Sequence, residues 1–399
     1  MRISLIDPSL FTLPYDVSLA RGLTTAGHQV VLHGRKLTAS DGDARDMAVQ
    51  PDFYRVAGSA AVRRLPKQAR VAIKGLDHVV SLLRLRARLA AERPDIIHFQ
   101  WLPVPLLDRA MLAGFRAIAP VVLTVHDTDP FNGSPTARLQ KLGFAASLHG
   151  CDRLIVHTRQ GFARLVKLGL PASKIAILPH GPLIETPVGS APDPMSGELT
   201  FVLFGKIKSY KGADVLIEAF ADLPPELRAQ AKLRIVGQAY MDVALLQARA
   251  ASLGVAGRVA IEPRFVADTE MPAIFAPGSV AVFPYREIEA SGVLSLAMAH
   301  GRPVIASRLG SFAETLEDGV HGWLTPPGDV AALAAAMGSA IKDRAVLAQQ
   351  SQAVTTRMRA MPGWDEIARL TLGVYADAAA QRSAAQRPGH HASGHKIAL

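Results

Sequence analysis

The chain has 399 residues, 49% hydrophobic and 20% charged, with 32 Gly, 27 Pro and one Cys. That balance excludes a disordered or fibrous chain, and the length suits two domains of ~180 residues better than one. A lone Cys151 excludes a disulfide framework or a multi-thiolate zinc site, and a buried structural thiol is expected there.

Charge is unevenly placed. Residues 1–185 carry 24 Lys/Arg against 14 Asp/Glu, whereas residues 186–399 carry 20 of each, so the whole excess of +10 sits on the N-terminal half. Its densest stretch runs from Arg63, Arg64, Lys67, Arg70 and Lys74 to Arg84, Arg86, Arg88 and Arg93, relieved only by Asp77 and Glu92. Such a half favours an anionic membrane surface or a lipid pyrophosphate; the plain alternative is a solvated basic helix. Nucleic acid is not expected as a partner, since aromatics are 6% and none interleave the basic run. No apolar run reaches ~18–20 residues, and the opening MRISLIDPSL reads as a first strand, so a cytoplasmic protein is expected, with peripheral attachment to the inner face of the plasma membrane allowed.

In chain order, strands are predicted near Ile3–Ile6, Gln29–Leu32, Ile96–Phe99, Val121–Val125, Leu154–Val156 and Ile175–Leu178. Helices fall between them, near Val17–Ala26, Leu76–Ala91, Pro105–Ala113, Arg138–His149 and Arg159–Leu168. Five prolines between Leu178 and Pro194 mark a linker. A second series follows, with strands near Leu199–Phe204, Leu233–Val236, Val259–Ile261, Val280–Phe283 and Val304–Ala306. Its helices lie near Asp214–Ala221, Asp242–Ser252, Met271–Phe275, Val293–His300 and Val330–Ile341. Short connections between alternating strands and helices imply parallel, doubly wound sheets, so the expected architecture is α/β with two tandem Rossmann-like domains facing a cleft. The boundaries are 1–182, 196–360, a helix over 361–380 packing back on the first domain, and a disordered tail over 381–399.

Two motifs stand at predicted strand ends, where ligands of open α/β sheets bind. After Phe204 comes Gly205-Lys206-Ile207-Lys208-Ser209-Tyr210-Lys211-Gly212: three ammonium groups between glycines, ahead of a helix, suited to a pyrophosphate. The spacing is not that of a Walker loop. After Pro284 comes Tyr285-Arg286-Glu287-Ile288-Glu289-Ala290-Ser291-Gly292-Val293, where a helix begins at Ser-Gly. Its free amides and the Ser291 hydroxyl suit an anion, and Glu289, an acceptor-only group, suits sugar hydroxyls. The plain readings are a basic surface turn and an ordinary N-cap serine.

These residues resemble the GT-B glycosyltransferases of retaining family 4. The match rests on Gly205 to Ala219, on Val236-Gly237, on Ser291 through Ser307, on Glu314 with Gly319, Gly322 and Trp323, and on Trp364 with Ile367. In the N-terminal half it is carried by Leu19 to His28, Asp95 to His98, Val125-His126-Asp127 and Pro179-His180-Gly181. The resemblance implies a nucleotide-diphosphate sugar as donor substrate, no cofactor and no metal. Lys206 and Lys211 would offset the diphosphate charge, with Gly205 letting the backbone approach; Ser291, Gly292 and Val293 would cap it. Arg264, Phe265 and Val266 would hold the base, Glu289 the transferred sugar, and His126 would sit over its anomeric region. The implied reaction moves a hexose, with retention, to a lipid-linked or polysaccharide acceptor in exopolysaccharide or cell-envelope glycan synthesis. Leu296 stands where the family commonly has a second glutamate, and Asp7-Pro8-Ser9-Leu10 replaces a Gly-Gly pair in the first βα loop. That departure motivates a rival, a catalytically weak sugar-nucleotide-binding scaffold; an epimerase ranks last, since Glu289 is the one suitable carboxylate. Asp127-Thr128-Asp129 and the histidines His390, His391 and His395 are not expected to bind metal.

Overall fold

The computed structural model describes residues 1–38, 41, 48–129, 143–183, 197–289 and 291–386. Two separate parallel sheets account for the strands. The first holds β1 (Arg2–Ile6), β2 (Gln29–Arg35), β3 (Val49–Phe53), β4 (Ile96–Phe99), β5 (Val121–Thr124), β6 (Arg153–Val156) and β7 (Ile175–Ile177) in the order β3-β2-β1-β4-β5-β6-β7. The second holds β8 (Leu199–Phe204), β9 (Ala231–Val236), β10 (Val259–Glu262), β11 (Ser279–Phe283), β12 (Val304–Ser307) and β13 (Gly322–Thr325) in the order β10-β9-β8-β11-β12-β13.

Central strands read as unbroken apolar runs because helices cover both faces. All four residues of β4 (IIHF), β5 (VVLT) and β12 (VIAS) are buried, as are all five of β11 (SVAVF). The two strands missing from the sequence reading, β3 and β13, are edge strands. β3 carries Pro51, whose missing N–H an edge tolerates, and its VQPDF lacks an apolar pattern.

The helices that position the cleft are α1 (Leu13–Thr25), α2 (Lys67–Glu92), α3 (Pro105–Ile118), α4 (Phe144–Gly150), α5 (Arg159–Lys167), α6 (Ala213–Ala221), α7 (Val243–Ser252), α8 (Gly292–Ala299), α9 (Gly310–Thr315), α10 (Val330–Lys342), α11 (Arg344–Arg359) and α12 (Trp364–Gln386). α2 begins nine residues before the predicted Leu76, right after Pro66, so most of the basic run is one helix. α11 was not foreseen.

α12 crosses back onto the first domain, as expected, and packs against α1. Trp364 Nε1 donates to the Pro182 carbonyl at 2.9 Å, and Tyr375 is fully buried with its hydroxyl 2.7 Å from His98 Nδ1. The helix runs to Gln386, correcting a disordered tail from 381. The linker beyond Leu183, the start of the predicted 138–149 helix and His390, His391 and His395 lie outside the described residues. Cys151 is buried, and burial pushes its thiol up to about 12, as a structural cysteine requires.

Candidate active site

Each sheet reverses its winding once, between β1 and β4 and between β8 and β11, and such switch points are where open α/β sheets bind ligands. The loops leaving those four strands line a single cavity of about 450 Å³ between the domains. Lys206, Lys211, Glu289, Ser291, Gly292, Val293 and His126 all line it.

On the second domain, Gly205 has φ 110°, and a Cβ there would lie 2.9 Å from Lys211 Nζ. Glycine is therefore required for the loop to close over that ammonium. The loop is pinned by buried Ile207, which bridges to Ala239 and whose carbonyl accepts from Tyr240 N at 2.9 Å. Lys206 lies over the Tyr240 ring (5.8 Å to its centroid), Lys208 between the rings of Tyr210 and Tyr240 (5.7 Å each), and Lys211 over Tyr285 (5.1 Å). None of the three ammonium groups has a carboxylate partner among the described residues. Lys211 is 6% exposed, and burial lowers its pKa to about 8. Aromatic faces offer a cation ~0.5–2 kcal/mol, well short of the several kcal/mol that burying a charge costs. The site is thus charged in readiness for an anion.

Facing these lysines is the start of α8. Ser291 is its N-cap, yet its side chain makes no capping bond, so the first-turn amides of α8 are left to the cavity. The plain N-cap reading of Ser291 is not what the structure shows. Beneath lies Tyr285, fully buried.

Glu289 lies just before α8, and its carboxylate reaches the first domain. Oε2 accepts from Thr128 N at 2.8 Å; Oε1 accepts from Arg164 at 2.9 Å and from the Thr128 hydroxyl. A carboxylate has about four acceptor positions, so one remains for a hydroxyl in the cavity. Burial, the largest influence, raises its pKa to about 7 against the pull of Thr128 N and Arg164. A second tie lies at α5, whose Arg159 and Gln160 amides donate to Glu314 at 3.0 and 3.2 Å. Gly310 N in turn donates to the Gln160 side chain at 2.8 Å. The two domains are therefore latched by carboxylates of the second on backbone amides of the first.

His126 sits at the end of β5, stacked on Trp101 (5.5 Å, 18°) and edge-on to Tyr15. Its nitrogens are both occupied, Nε2 by the Gln100 amide at 3.0 Å and Nδ1 by His157 Nε2 at 3.2 Å. The Leu178 carbonyl can only accept, so His157 donates to it from Nδ1 (3.1 Å), and the Gln100 side-chain oxygen likewise accepts from His126 Nε2. Burial holds His126 well below the ordinary histidine range and lowers His157 to about 3, so both are neutral. His126 therefore presents a ring to the cavity rather than a nitrogen free to take a proton.

Arg264, Phe265 and Val266 follow β10, the outermost strand, and do not line the cavity. Arg264 pairs with Glu262 (3.2 Å) and Glu270 (2.7 Å); Phe265 is 65% exposed and Val266 buried. Asp127 accepts from Asp129 N at 2.9 Å, a local turn, and no group of three metal-ligating side chains is assembled among the described residues. Sequence reasoning missed Arg164, Thr128, Phe11 and Trp101. Arg164 belongs to no motif and Thr128 is only the middle residue of Asp127-Thr128-Asp129, so their role appears only when the domains face each other. Phe11 and Trp101 follow predicted strands, and that position was their one available signal.

Known proteins fit this geometry. Residues 17–182 match the family model described as Glycosyltransferase Family 4, and residues 198–343 match that described as Glycosyl transferases group 1. A D-inositol 3-phosphate glycosyltransferase of Xylanimonas cellulosilytica is 26% identical over 93% of this chain and 92% of its own. A Mycobacterium tuberculosis glycogen synthase is 28% identical over 71% and 69%. Among solved structures, sucrose-phosphate synthase from Thermosynechococcus elongatus superposes with TM-score 0.74 at 21% identity, covering 96% of this chain and all of that one. Anabaena HepE in complex with UDP and glucose superposes with TM-score 0.72 at 19% identity, covering 94% and 100%. Two facing Rossmann-like domains with a cationic loop between them make this a GT-B glycosyltransferase. The chain belongs to the glycosyltransferases that join a family 4 domain to a group 1 domain.

Proposed function

We propose that the enzyme transfers a hexose from a uridine diphosphate sugar to a glycan or lipid-linked glycan acceptor, with retention at the anomeric carbon. The observation that carries this is the set of three lysines without carboxylate partners among the described residues, one of them buried, facing a bare helix N-terminus across one cavity. The demand of the reaction is to stabilise charge developing on the departing diphosphate. Preorganised donors in a site shielded from water meet it, each worth ~3–4 kcal/mol. Ammonium groups supply that charge in this reading, so the reaction needs no metal. Uridine is favoured by the HepE complexes with UDP. Glu289 holds a hydroxyl of the transferred sugar with its remaining acceptor position; Arg264 to Val266 lie outside the cavity, and the family resemblance alone assigns them the base side.

Attachment to an anionic membrane is supported by α2 and the turn before it. Arg63, Arg64, Lys67, Arg70 and Arg84 are exposed there alongside Leu65, Val71, Leu76 (71% exposed), Val80 and Leu83. Exposed apolar groups flanked by cations suit an interface, at ~1 kcal/mol per basic residue near an anionic leaflet. No helix among the described residues is long and apolar enough to cross a membrane.

The test is release of UDP from UDP-glucose, UDP-galactose and UDP-glucuronate with membrane extracts as acceptor, with and without EDTA. One sugar should be transferred at an EDTA-insensitive rate, and proton NMR of the first product should show the donor's anomeric configuration. Binding of UDP without any transfer would favour the scaffold reading instead.

A further inference from the structure

The first domain's switch point carries no lysine and is aromatic. Phe11, in the loop after β1, and Trp101, in the loop after β4, line the cavity opposite the lysines with ring centroids 5.6 Å apart at 79°. Phe11 is 53% exposed, unusual for a phenylalanine with no evident packing duty. Trp101 is held in place: its Nε1 donates to Thr12 Oγ1 at 3.0 Å. Thr12 is fixed in turn, its backbone N–H donating to buried Asp7 at 3.1 Å and its hydroxyl lying 3.3 Å from buried Asp16. Burial, the largest influence, raises the pKa of both acids, Asp16 the more strongly because the Asp7 charge lies beside it.

We propose that Trp101 and Phe11 form the acceptor subsite and that its ligand is a neutral pyranose ring of a glycan. This rests on the donor reading above, which assigns the lysines to the diphosphate. A pyranose has a face of axial C–H bonds and a rim of hydroxyls. The C–H face suits the negative face of an aromatic ring; His126 stacks on one face of Trp101, so the sugar would take the other, beside Phe11, and an indole fixed by a hydrogen bond offers it without ordering cost. The rim needs acceptors, and Asp127 lines this side of the cavity, with Arg164 already tied to Glu289. A phosphorylated acceptor would set its charge against that acid; a neutral sugar would donate to it.

The test is titration of the full chain, with UDP present, by maltotriose, cellotriose and inositol 3-phosphate, followed by calorimetry and saturation-transfer NMR. A neutral oligosaccharide should bind, with saturation concentrated on ring C–H protons. Trp101→Ala should weaken it about tenfold and Phe11→Ala about threefold, the scale of one aromatic contact. Trp101→Phe should recover most of the affinity, and UDP affinity should stay within about twofold in all three variants. Phe11 is exposed, so its variant tests the subsite even if loss of Trp101 disturbs folding. Neutral sugars that bind Trp101→Ala as well as the parent would overturn the proposal, as would binding of inositol 3-phosphate alone. A parent that fails to bind UDP would count against the donor reading only, and the sugar titrations without UDP would still decide the subsite.

Discussion

The two sheets reverse at corresponding places, and the loops there differ in kind. Between β8 and β11 stand three lysines and an open helix N-terminus; between β1 and β4 stand Phe11, Thr12 and Trp101 over a pair of buried acids. Both domains share the same backbone plan, so the plan accounts for where the ligands go and the loops for which ligands they are. The cationic side is costly by design, with Lys211 buried and no carboxylate beside it among the described residues. The aromatic side is satisfied, Trp101 having its hydrogen bond already. A transferase that must grip a charged leaving group tightly and an acceptor loosely would show that asymmetry.

The largest effect is expected from Lys211→Met, which keeps the volume and removes the charge. Transfer should fall by roughly 10²–10³-fold, the cost of losing one preorganised donor. Thermal stability should hold or rise, because an unpaired buried charge has gone. A large loss of stability instead would show that the lysine is structural.

Gly205→Ala comes next. Its Cβ would press on Lys211 Nζ at a φ of 110°, costing about 1–3 kcal/mol in the folded state, read by thermal melting. UDP affinity should fall with it, while a neutral sugar on the first domain should bind as before.

The pH dependence follows from Lys211, whose pKa burial lowers to about 8 from an ordinary 10.5. Above pH 8 the free protein loses that proton, so UDP affinity should weaken by up to about tenfold per pH unit, and Lys211→Arg should flatten the curve. Stability without ligand should run the other way. Between about pH 8 and 10.5 the unfolded chain binds more protons than the folded one, so this group's contribution rises with pH.

The smallest effect is expected at the latch. Glu289→Gln removes the charge facing Arg164 while keeping an acceptor for Thr128 N, costing about 1–2 kcal/mol at pH 8 by thermal melting. With the parent carboxyl titrating near 7, above its ordinary 4.5, the folded parent binds more protons than its unfolded chain between those values, so the gap should widen as pH falls through 7.

Much of this was legible in the chain. Buried parallel strands such as SVAVF announce themselves as apolar runs, and Gly205 to Gly212 shows its chemistry in composition alone. What escaped was written in no local pattern. β3 is an edge strand with a proline, and the cavity role of Arg164 and the engagement of both His126 nitrogens exist only once distant segments meet. Glu289 was read as a sugar ligand from its place before α8, but its hold on Thr128 depends on the facing domain.

The central claim is that the lysine loop is a diphosphate site, and calorimetric titration of UDP into the parent and Lys211→Met at pH 7 tests it most directly. The account predicts saturable binding in the parent and a loss of at least tenfold in the variant at undiminished thermal stability. Equal UDP affinity in the two proteins would contradict it.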